Sequence, residues 1–86
     1  SASYLADGHL VSIYTQRGEF KKALTLIDVM QKEHPDDPAI YYNAAVLHVA
    51  LGDNNAAVAN LQTGLPYAIN QDFKDRFSRL LKELTQ

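Results

Sequence analysis

Cysteine is absent from the 86 residues, so neither a disulfide framework nor a thiolate zinc site is available. That lack suits a reducing or an oxidising compartment alike and leaves the localisation open, with the cytoplasm slightly favoured. No apolar run approaches the roughly 18 to 20 residues of a membrane-spanning helix, and no membrane insertion is expected. Positive charge is scarce: 8 Lys and Arg against 10 Asp and Glu give a net charge of −2. A nucleic-acid partner, which calls for a strong basic face, is therefore not expected. Glycine-rich phosphate loops, a Ser-His-Asp set and metal-ligand spacings are all missing. His9, His34 and His48 are scattered over different elements. Catalysis, a cofactor and a metal site are not expected. No signal peptide is visible and the first residue is Ser1 rather than Met, so the chain reads as a processed protein or a piece of a longer one.

Hydrophobic residues make up 47% of the chain, enough for a small folded domain and too many for a disordered one. The most informative feature is a repeat. Gly18 and Gly52 lie 34 residues apart, and Gly18-Glu19 before Ala23-Leu24 recurs as Gly52-Asp53 before Ala57-Val58. A fixed period of that size marks an array of stacked supersecondary units. Such arrays present surfaces to partners rather than enclosing a reaction.

Helical signals fill the period. The spacing of Leu10, Val11 and Tyr14 predicts a first helix over about Ser3 to Gln16, stopped by Gly18. Glu19 opens a second, in which Phe20, Ala23, Leu24, Ile27 and Met30 recur every three or four residues to about Glu33. Pro35 and Pro38 flank Asp36-Asp37, a turn. Asp37 is placed as the N-cap of a third helix that begins at Pro38 and runs to about Leu51. A fourth begins at Asp53 or Asn54 and carries Ala57, Val58 and Leu61. Gly64 and Pro66 weaken its end, which is expected to fray or kink on the way to Ala68. A fifth covers about Gln71 to Leu84. No segment reads as strand. Asp28, Glu33, Asp36 and Asp37 read as a solvated face and turn, and Lys21, Lys22 and Lys32 as a weak basic strip offset by nearby acids.

At this point the chain resembles the tetratricopeptide repeat family. The first unit offers Asp7, Leu10, Val11, Tyr14, Gly18, Ala23, Ile27 and Pro35; the second offers Tyr41, Ala44, Ala45, His48, Gly52, Ala57, Leu61 and Ile69. Asp7 departs from the family's large aromatic, and Pro66 comes earlier than the closing proline. His48 takes an aromatic place and reads as a packed histidine. Adding 34 to Tyr41, Ala44, Ala45 and His48 lands on polar residues, whereas adding 36 lands on Phe77, Leu80, Leu81 and Leu84. This implies a two-residue insertion and a terminal helix covering the second hairpin. The expected fold is all-α, a right-handed α-solenoid of two helix hairpins plus a capping helix in one domain. Repeat one spans about 4–37, repeat two about 38–70 and the cap about 71–85.

The resemblance implies a non-catalytic protein–protein interaction module, a piece of a larger scaffold or assembly protein, with a protein or peptide held in a concave groove. The partner-binding residues expected there are Ser12, Tyr42, Asn43, Val46, Val49 and Arg79. Substituting Tyr42 by Ala is then expected to weaken binding and leave thermal unfolding nearly unmoved. The positions at which some relatives clamp a C-terminal carboxylate hold Gly8, Ser12, Asn43, Asp75 and Arg79, a poor match. The rival reading is a homodimer, or larger assembly, formed by burying Phe73, Leu81 or Leu84 of the terminal helix against another copy.

Overall fold

The computed structural model describes residues 4–86. Five helices follow in order: α1 (Tyr4–Gln16), α2 (Phe20–Glu33), α3 (Pro38–Ala50), α4 (Asn54–Gly64) and α5 (Gln71–Thr85). A 3-10 turn over Leu65–Tyr67 joins α4 towards α5, and no strand occurs among the described residues. The expected start of α1 at Ser3 lies outside the described residues.

The two hairpin turns are built alike. Gly18 and Gly52 take positive φ, 74° and 79°, a region open to glycine at little cost. After each glycine the next amide reaches back to the helix, Glu19 N–H to the Tyr14 carbonyl and Asp53 N–H to the His48 carbonyl, both at 2.8 Å. The glycine amides themselves bond to Thr15 and Val49, which completes the same two-bond helix cap twice. The helix starts are also fixed by side chains. The Asp37 Oδ1 accepts from the Ala39 amide at 3.0 Å, the Asp53 Oδ1 from Ala56 at 3.1 Å, and the Asn70 Oδ1 from Phe73 at 2.8 Å. Glu19 differs: it precedes α2 without capping it, and its carboxylate pairs with Lys22 at 2.8 Å.

Two cores share α3. Val11, Ala23, Ile27 and Met30 meet Ile40, Ala44 and Leu47 in the first. Ala45, Ala57, Leu61, Ala68 and Phe77 form the second, with Tyr41, Tyr42, Val49 and Leu80 packed around it. A helix apolar on two sides is what a strip between two cores requires. Ala23, Ala45 and Ala57 are fully buried, so the helices approach over methyl groups there. Leu10, by contrast, is 37% exposed and lies outside both cores. Asp7, on the same helix, has one carboxylate oxygen buried without a hydrogen-bond partner among the described residues.

Gly64 has a second role beyond ending α4. A Cβ there would lie 2.5 Å from the Tyr41 Cβ and 3.0 Å from the Phe77 Cε2, so α3, α4 and α5 close on one another only over a bare backbone. The kink expected before Ala68 is the 3-10 turn, and it tucks Ala68 into the second core. Tyr41 and Tyr42 are both half-buried, each on a different set of rings. Tyr41 stacks on Tyr67 at 6.2 Å and donates its hydroxyl to the Pro35 carbonyl at 2.7 Å.

Candidate binding groove

Along α3 Tyr42, Asn43, Val46 and Val49 recur at helical spacing as one stripe; Asn43 and Val46 are exposed, whereas Tyr42 and Val49 also pack against the second core. α1 lies on one side of that stripe and α5 on the other. The structure therefore divides the six expected site residues between two concavities and the wall between them.

Ser12, Asn43 and Val46 meet in the first, a groove of about 160 Å³ between α1 and α3 that Gly8 and Thr15 also line. Gly8 leaves it open, since nothing lies within 4 Å of where its side chain would begin. The Thr15 hydroxyl is committed to the Val11 carbonyl at 2.8 Å. The Asn43 amide is exposed and makes no hydrogen bond among the described residues, so its donor and acceptor are both free. Behind Gly8 and Asn43 a small apolar cavity of about 50 Å³ reaches Val11, Ile27, Met30 and Ile40. Val46 is 43% exposed and forms the apolar ridge of the groove.

Tyr42 and Arg79 meet in the second concavity, about 300 Å³ between α3 and α5, together with Arg76, Leu80 and Glu83. Here the Tyr42 ring has a structural task. Its centroid is 5.4 Å from that of Phe77 and 6.2 Å from that of Phe73, in tilted and edge-on arrangements that suit aromatic quadrupoles. The ring thus anchors α5 on α3, and the expectation that its removal leaves unfolding unmoved gives way to a stability cost. Phe73, which the repeat offset leaves unplaced, completes this three-ring cluster. Among the described residues Arg79 makes one long hydrogen bond, 3.4 Å from its Nε to the Asp75 carbonyl, and is exposed. Val49 is half-buried against the second core. Arg76 and Glu83 are members of this wall that sequence reasoning missed. Arg76 sits one turn before Arg79, a spacing that places both on one side of α5.

The far end of α1 is tied down by chemistry outside the groove. The Tyr4 hydroxyl donates to the Asp37 Oδ2 while the other oxygen of that carboxylate caps α3. The Asp37 bond, aided by burial and by the charge of Asp37, pushes the Tyr4 hydroxyl up to about 12. The Tyr4 ring also meets His34 edge-on at 5.0 Å. Among the described residues no group of three or more His, Asp or Glu side chains is placed to hold a metal ion. No helix among them is long and apolar enough to cross a membrane.

A family model described as tetratricopeptide repeat matches residues 14–83, most of the chain. No curated protein and no solved structure matches it.

Proposed function

From the membership of this chain in the tetratricopeptide repeat family, whose repeats mediate protein–protein interaction, we propose that it seats a peptide segment along α3, between α1 and α5. The observation that carries this reading is the convergence of Ser12, the unpaired Asn43 amide and the exposed Val46 on one groove. Asn43 would bond a peptide group of the ligand, as an amide offering both donor and acceptor can. Val46 would meet an apolar side chain, with Gly8 giving the ligand backbone room. Tyr42 and Arg79 border the continuation of this path, with Val49 supporting the wall from behind. The module would act without catalysis, as one part of a scaffold or assembly protein.

A displayed library of random peptides, selected on the 86-residue chain, tests the proposal. Enriched peptides should lose most of their binding to Asn43→Ala and Val46→Glu, and keep it on Val29→Glu, a charge placed at an exposed position of α2. Peptides that bind all three variants alike would exclude the groove.

Self-association through α5 is the other reading. Phe73, Leu81 and Leu84, the residues it would draw on, pack against the second core. Sedimentation at two concentrations separates the readings: a rising mass favours assembly, and a constant monomer removes it.

A further inference from the structure

The end of the molecule away from Gly18 and Gly52 holds a concavity that the groove does not use. It lies between the α2–α3 turn and the connection into α5, and measures about 480 Å³. His34, Asp36 and Asp37 contribute from one side, Tyr67, Ile69 and Phe73 from the other.

The second side is apolar and held in place. Ile69 is 90% exposed, the highest value among the described large hydrophobic residues. Its neighbours anchor it: Ala68 is buried in the second core, and the Asn70 side chain caps α5. Tyr67 is 41% exposed and lies stacked on Tyr41. An aliphatic side chain fixed in solvent beside an aromatic ring is a surface that costs free energy until it is covered.

The first side is negative. Asp36 makes no hydrogen bond or ion pair among the described residues. Asp37 accepts from Tyr4 and Ala39. α2 ends at this cleft while α3 and α5 begin here, and the α3 N-terminus already stabilises Asp37, its cap, which leaves Asp36 as the carboxylate open to a cation. No Lys or Arg lines the cleft.

We propose that this cleft docks an extended segment of another protein in which lysine or arginine alternates with aliphatic side chains. The cation faces Asp36, its methylene stem lies along the Tyr67 ring, and the aliphatic neighbour covers Ile69. Long basic side chains are suited to this divided surface because the stem is apolar and only the tip is charged. The site is separate from the α1–α3 groove, so the two proposals stand or fall independently.

The probe is the synthetic peptide acetyl-Leu-Lys-Leu-Lys-Leu-amide, titrated into the ¹⁵N-labelled chain and followed by amide chemical shifts. One control replaces both lysines by glutamate, and another replaces the leucines by serine. The expected result is shifts concentrated at residues 34–38 and 67–73, with neither control binding. Asp36→Asn and Ile69→Ser, both at exposed positions, should each weaken the peptide by about three- to fivefold, the scale of one exposed ion pair or one partly covered aliphatic group. Shifts centred on Asn43 and Val46, equal binding of the glutamate control, unchanged affinity in both variants, or no binding at millimolar peptide would each overturn the proposal.

Discussion

Replacing Gly64 by Ala should destabilise this protein, although the backbone there is an ordinary helical one. Gly64 sits at φ −83° and ψ −25°, so alanine is conformationally welcome. By itself the change should add about 0.5–1 kcal/mol, because it restricts the unfolded chain and raises helix propensity. The packing reverses the sign. The new methyl would lie 2.5 Å from the Tyr41 Cβ, 2.9 Å from its Cγ and 3.0 Å from the Phe77 Cε2. Carbon atoms prefer about 3.5–4.0 Å, so the worst overlap is about 1 Å, and it is with an atom fixed to the backbone of α3. A rotamer change at Phe77 cannot relieve it; α3 and α4 must move apart. Overpacking of this kind costs typically about 1–3 kcal/mol, which exceeds the propensity gain. For a chain of this size a loss of about 1–2 kcal/mol lowers Tm by about 5–15 °C. Gly8 provides the internal control. It lies within α1 and a Cβ there meets nothing within 4 Å, so Gly8→Ala should raise Tm by a few degrees. Thermal unfolding followed by circular dichroism at 222 nm reads both. A Gly64→Ala protein as stable as the parent, or more stable, would refute the close approach of α3, α4 and α5.

The remaining predictions concern particular side chains. Tyr42→Ala removes the ring that bridges α3 to Phe73 and Phe77 and should cost about 2 kcal/mol or more, a fall of about 10 °C in Tm; an unchanged melt would return Tyr42 to the role of a free groove residue. Tyr4 has a folded-state pKa raised from 10.0 to about 12, so the stability it contributes is complete below pH 10 and is lost as pH rises towards 12. Tyr4→Phe should flatten that part of the alkaline fall in Tm, leaving the part due to Tyr41, whose hydroxyl is also pushed up, chiefly by burial. Asp7→Ala deletes a buried carboxylate oxygen that has no partner among the described residues and should raise Tm, since an unsatisfied polar atom costs about 1–3 kcal/mol against a helix-dipole gain of about 0.3–1 kcal/mol; a lower Tm would show that Asp7 is satisfied in solution.

The repeating parts of this fold were legible because each has a local cause. Gly18 and Gly52 are read correctly as turns since glycine alone takes that backbone readily, and Asp37 as a cap because its side chain bonds two residues on. The 36-residue offset places Phe77 on the second core, where it is fully buried. What the sequence hid depends on distance across elements. Gly64 reads as a helix weakener until Tyr41 is seen against it. A clue exists in the 34-residue pairing: the first repeat sets Asp7 with Met30, and the second sets Tyr41 with Gly64, so the larger residue changes helix. Tyr42 reads as a groove residue alone because the rings it packs on lie on α5, beyond the period. Ile69 was read only as a repeat position, since no one-dimensional pattern says that its neighbours hold it outward. Ser12, Asn43 and Val46 do share a groove, and their pairing with Arg79 passes through the Tyr42 ring.

Binding along α3 is the central claim, and amide chemical-shift mapping of the ¹⁵N-labelled chain with a library-selected peptide tests it most directly. The account predicts the largest shifts at Gly8, Ser12, Asn43 and Val46, with smaller ones extending towards Arg79. Shifts confined to α2 and α4, with those groove amides unmoved, would contradict it.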